Sequence, residues 1–118
     1  MKKKNQSLLY FKNLYLVALA DGKITREETI LLDEFAHKMG ITAQEKEVVR
    51  ENANFMEFFV PREMKDRLQH LESLIRMMIV DGEIHEKEYH LCLNYANRSG
   101  CDQLVLDMLI EKVTEGKH

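Results

Sequence analysis

The stretch ADGKITREE, residues 20–28, returns sixty positions later as VDGEIHEKE, residues 80–88. The shared pattern is Asp-Gly-x-Ile-x-x-x-Glu, and the match extends well beyond it. Shifting the chain by sixty residues places Leu14 on Leu74, Asp21 on Asp81, Gly22 on Gly82, Ile24 on Ile84 and Glu28 on Glu88. Leu31 then falls on Leu91, Ala36 on Ala96 and Gly40 on Gly100, with no gap needed. Self-similarity at one fixed offset marks an internal repeat.

Each copy reads as three helices. The first runs from about Ser7, a plausible N-cap, through LYLVALA (14–20). Its counterpart starts near Pro61, a residue suited to a first helical turn, and ends in LIRMMIV (74–80). Apart from Arg76 these ends are apolar nearly all round, which predicts a place in a bundle core. The second helix begins near Thr25 and stops at Gly40, a good residue for the left-handed turn after a helix; its copy runs from about His85 to Gly100. The third starts at Thr42, where TAQE makes a capping box with Glu45, and Asp102 holds the same slot in the second copy. Between the copies, FMEFFVP (55–61) is too apolar for a free linker and is expected to pack and join the halves. The predicted fold is all-α: one domain over residues 1–118, about six helices, built as two pseudo-symmetric three-helix repeats at about 7–55 and 61–115.

The repeated loop admits several chemistries. Asp-Gly followed by Ile and Glu matches the end of an EF-hand loop. Counting back, however, the first two ligand positions hold Val17 and Leu19 in one copy and Met77 and Ile79 in the other, and none of these has a side-chain oxygen. Calcium takes six to eight oxygens, so a working EF-hand is excluded. A P-loop is excluded as well, because GKIT (22–25) lacks the upstream glycine and a preceding strand. The structural reading is that Asp-Gly ends a helix, Ile24 and Ile84 plug the core, and Thr25 and Glu28 form a capping box. His85 replaces Thr25 in the second copy, yet Glu88 is retained, a hint of another task for the Glu. A further reading follows if the two loops meet at one end of the bundle. Asp21, Glu28, Asp81 and Glu88 would then form a hard-cation site for Ca²⁺, Mg²⁺ or Mn²⁺.

Length and composition fit a soluble globular chain: 118 residues, 45% apolar and 31% charged, with one proline and five glycines. The net charge of −3 argues against nucleic acid as the main partner. Lys2–Lys4 read as a short solvated tail. No apolar run approaches the ~20 residues of a membrane span, and no signal peptide is visible, so the expected location is the cytoplasm.

Both loops and their helices together resemble the TerB-like family of all-helical tellurite-resistance proteins. The resemblance rests on ALADGKITREETILLDEFAHKMGI (18–41) and MIVDGEIHEKEYHLCLNYANRSGC (78–101) and spans essentially the whole chain. It implies an internally duplicated helical domain of stress-response type, found alone, beside other tellurite-resistance proteins or attached to a J-domain co-chaperone. It also implies candidate metal-binding acids, which by position are Asp21, Glu28, Asp81 and Glu88. Lys87 stands where the first copy has Glu27, and Val80 replaces Ala20.

Other residues carry no constellation. Cys92 and Cys101 align with Leu32 and Ile41 and read as small buried hydrophobes. His85 and His90 are five residues apart, on different helix faces, and read as surface histidines rather than a zinc pair; His37 and His70 stand alone. Ser7 and Ser99 fall at expected helix ends, and Met77 and Met78 read as core filler. Met56, Phe58 and Phe59 form a partner patch if they do not pack. The functional expectation is a non-enzymatic interaction or scaffold domain with a protein partner and a divalent cation on its acidic loops. The alternative is a pure protein-interaction module without metal, and an unspecified enzyme ranks third.

Overall fold

The computed structural model describes residues 2–20, 22–53 and 57–115, and among them are six α-helices and no strand. They are α1 (Lys2–Ala18), α2 (Arg26–Met39), α3 (Ala43–Asn52), α4 (Met64–Ile79), α5 (Glu86–Arg98) and α6 (Gln103–Glu115). α2 and α5 begin sixty residues apart, and so do α3 and α6.

Local chemistry accounts for most of these boundaries. At the start of α2, Glu28 N–H donates to Thr25 Oγ1 (3.1 Å) and Thr25 N–H donates to Glu28 Oε1 (2.8 Å). Thr42 and Glu45 repeat this reciprocal pair at α3, at 3.1 and 2.9 Å. At α6 the cap is Asp102, whose Oδ1 accepts from Val105 N–H at 3.1 Å. Each pair satisfies backbone donors that a helix start leaves open. α2 and α5 end alike: Gly40 and Gly100 adopt φ of 71° and 82°, while Ile41 N–H reaches back to Ala36 O (2.8 Å) and Cys101 N–H to Ala96 O (2.9 Å). This is the Schellman arrangement, and it favours glycine because the turn needs a left-handed backbone.

Two boundaries differ from the sequence expectation. α1 starts at Lys2 rather than Ser7, because nothing in KKKNQ stops a helix; Ser7 lies inside it and caps nothing. α4 starts at Met64, not at Pro61. Pro61 is buried before the helix, and its carbonyl accepts from Arg67 Nε at 2.6 Å. His85 stands at the N-cap position of α5 without a side-chain cap bond.

α1 and α4 pack on one another at the centre, and each also touches both α2 and α5. Their facing residues are fully buried: Leu14, Val17 and Ala18 from α1, and Leu71, Leu74, Ile75, Met77 and Met78 from α4. Arg76 alone points out of that end of α4. α6 packs on both α4 and α5, whereas α3 packs chiefly on α1.

One buried polar joint ties the connecting segment to this core. Asn13, fully enclosed, accepts from Phe59 N–H through Oδ1 (2.9 Å) and donates through Nδ2 to Phe59 O (2.8 Å). The remaining amide proton points at His70 Nε2, 2.9 Å away. That nitrogen must therefore accept, which leaves the ring proton on Nδ1 and the imidazole neutral. Tyr10 stacks on the ring at 4.4 Å and Tyr95 meets it edge-on at 5.5 Å. Burial lowers the His70 pKa to about 3.

A base whose native pKa lies below its unfolded value of 6.5 leaves stability untouched above pH 6.5. Below that, the unfolded chain binds a proton the native chain refuses. Stability should thus fall between pH 6.5 and about 3, by up to about 1.4 kcal/mol per pH unit from this residue. Urea unfolding at pH 7 and pH 4.5 should show a steeper loss in wild type than in His70→Phe, which keeps the stacked ring and cannot titrate.

Candidate functional site

The two Asp-Gly loops are closed by different contacts. In the first, Gly22 (φ 90°) turns the chain out of α1 and Thr25–Glu28 caps the next helix. Asp21 lies outside the described residues. In the second, Gly82 (φ 88°) makes the same turn. There Asp81 Oδ1 accepts from Glu83 N–H (3.2 Å), and Oδ2 lies 3.1 Å from His85 Nε2. This contact closes the loop but is not a helix cap, since His85 makes no side-chain cap bond. Ile24 is half-buried and Ile84 is 50% exposed, so Ile84 is not the core plug expected from its spacing. The second loop is held by Asp81 and His85 and needs no apolar anchor.

Glu28 and Glu88 are the notable carboxylates, at 1% and 0% exposure. Burying a carboxylate is costly unless its surroundings stabilise it, and for Glu28 the Thr25 backbone N–H does so. Glu88 lies one helical turn before Cys92, with no threonine at its cap position. Among the described residues, no three His, Cys, Asp or Glu side chains gather as a metal would require. The oxygens of Asp81 and one oxygen of Glu28 are already engaged by local N–H groups.

The remaining candidates have structural duties. Cys92 and Cys101 are free thiols in the core. Burial pushes the Cys92 thiol well up, and the Glu88 charge adds to the shift; burial raises Cys101 too. His85 faces Asp81, and His90 lies 3.7 Å from Glu86. Ser99 is buried, with its hydroxyl on Tyr95 O at 2.8 Å. Met56 lies outside the described residues. Phe58 and Phe59 do pack: Phe58 is in the core, edge-on to Tyr95 at 5.9 Å, and Phe59 lies 5.8 Å from Tyr10. They join the halves and do not form an exposed patch.

Sequence reasoning missed two features. One is the Asn13–His70 joint, whose only trace in the sequence is a polar Asn inside the apolar run LYFKNLYLV. The other is a groove of about 640 Å³ along the outer side of α2. Ile30, Leu31 and Phe35 supply its apolar surface, Asp33, Glu34, His37 and Lys38 its polar rim, and Arg76 reaches it from α4. Ile30 is 51% exposed. Among the described residues, neither Arg76 nor Lys38 makes an ion pair.

Comparison of the chain with protein-family models, with curated proteins and with solved structures gives no match. Among the described residues, no helix is long and apolar enough to cross a membrane.

Two outcomes follow from this geometry. Thiolate, not thiol, is the reactive form, so both cysteines should resist Ellman's reagent in the native protein and react at once in denaturant. Thr25→Ala should cost about 1 kcal/mol of stability, the usual worth of an N-cap. The matching His85→Ala should cost less, since His85 makes no cap bond; chemical denaturation of the two variants compares them directly.

Proposed function

We propose that this chain is a non-enzymatic helical interaction domain of the TerB-like, tellurite-resistance or stress-response type, working in the cytoplasm. Its two three-helix units act as one scaffold, and its partner is a protein. The observation that carries this reading is the α2 groove. A volume of about 640 Å³ with an apolar surface and a few polar groups at its edge has the composition of a recognition site. Ile30 is a large apolar side chain left half in water there, beside Arg76 and Lys38, which make no ion pair among the described residues.

A photo-crosslinking amino acid at Ile30 should trap a protein partner in cells, while the same group at exposed Leu104 on α6 should not. No adduct at Ile30 above the Leu104 control overturns the reading.

A divalent cation on the acidic loops is the second reading, favoured by the burial of both Glu28 and Glu88 at matching points of α2 and α5. Hard cations prefer such oxygen donors. On this reading Ca²⁺, Mg²⁺ or Mn²⁺ at millimolar concentration raises the melting temperature of wild type, and Asp81→Asn abolishes the rise. A melting temperature unmoved by all three ions removes it.

A further inference from the structure

The α2 groove has a smaller counterpart on α5, and the chain's own connecting segment forms one of its walls. That second groove, about 340 Å³, is lined by Leu16, Leu91, Asn94 and Arg98 together with Glu57 and Phe58. Leu91, Asn94 and Arg98 lie sixty positions after Leu31, Glu34 and Lys38 of the α2 groove, and Leu16 lies sixty before Arg76. The two grooves are therefore the same place on the two repeats. They differ in what lies there. On α5, Phe58 covers Tyr95 at 5.9 Å, and Tyr95 is fully buried. On α2 the corresponding ring is Phe35, and it remains half-buried in an open groove. Sixty positions on from Glu57 and Phe58 the sequence has Lys117 and His118, neither an apolar side chain.

We propose that the α2 groove receives an extended acidic-aromatic segment of a partner protein, seated against Phe35 and Leu31 as Glu57 and Phe58 are seated against α5. The chain's own segment is the template for the aromatic residue. Charge selects the acidic one. Where the α5 groove has apolar Leu16, the α2 groove has Arg76, and Arg76 and Lys38 both lack an ion pair among the described residues. Glu34 and Asp33 lie on the same rim, Asp33 engaged by Lys46 at 3.3 Å, and disfavour a segment with more than one acid beside Arg76 and Lys38. An aromatic anchor entering an apolar pocket beside an unpaired arginine is a combination that recurs at interaction hot spots. This inference rests on the interaction reading above and specifies the chemistry of its partner.

The probe is a capped synthetic peptide, Glu-Phe-Phe-Val-Pro, added to the ¹⁵N-labelled full chain. Saturable shifts should appear at Ile30, Leu31 and Phe35. Replacing both peptide phenylalanines with alanine should abolish them, and Arg76→Glu should weaken binding about tenfold. Arg76 is exposed, and an unchanged spectrum for the α4 core amides shows that this variant is folded. No shifts at millimolar peptide, shifts centred on Leu91 and Asn94 instead, or equal affinity in Arg76→Glu overturns the proposal. Shifts that grow with protein concentration alone identify a second copy of the chain as the occupant, and overturn it too. A crosslink at Ile30 with a silent peptide refutes the acidic-aromatic chemistry and spares the interaction reading. Silence in both experiments ends both.

Discussion

The side-chain amide of Asn13 ties α1 to the segment before α4 and to α4 itself. It spends its oxygen and one proton on the backbone of Phe59 and its other proton on His70, so all three bonds depend on one orientation of one buried group. A buried amide with any partner missing is costly, which makes the joint cooperative: the connecting segment, α1 and α4 are fixed together or not at all. Phe58 follows from this. With Phe59 clamped to α1, its neighbour is delivered onto Tyr95, and Tyr95 in turn faces His70. Arg67 continues the chain of dependence by bonding Pro61 O and Ser99 O, which ties the same segment to the end of α5.

The same loop motif is closed in two chemically different ways, and this separates what the motif must do from what it happens to contain. Both copies need a left-handed glycine, since Gly22 and Gly82 adopt nearly the same φ. Both bury the glutamate three residues into the next helix. Only the first uses threonine to cap the helix start; in the second, Asp81 and His85 meet across the loop and make no side-chain cap bond. The common requirements are therefore the turn and the buried carboxylate, and the cap is negotiable.

The helices, their order and most of their ends were legible because they follow from short-range rules: apolar periodicity, capping boxes at Thr25 and Thr42, Asp102, and glycines 40 and 100. What was not legible depends on contacts distant in sequence. Ile84 has the same spacing as Ile24, yet it is half in water, because spacing cannot tell which side of a loop the core lies on. His70 looks solitary until α1 brings Asn13 and Tyr10 to it. Phe58 and Phe59 could be a patch or a plug by composition alone, and Asn13 decides between them. The α2 groove left no motif, since an unfilled space has no residue of its own to announce it.

The two sets of three helices are alike in their boundaries and unlike in packing. Leu106 on α6 is fully buried between α4 and α5. The residue sixty positions earlier is Lys46, which reaches instead to Asp33 at 3.3 Å across the α2–α3 surface. An exposed pair of that kind contributes little, whereas a buried leucine is worth about 2–3 kcal/mol of transfer free energy. α3 is accordingly the less firmly held third helix, with exposed Val48 on it and exposed Ile30 on neighbouring α2. Binding surfaces come from the less stable end of a structure because they must be open to be filled. In the second half Phe58 lines the smaller groove and Leu106 docks the third helix, whereas the larger groove along α2 has no such wall from the connecting segment among the described residues.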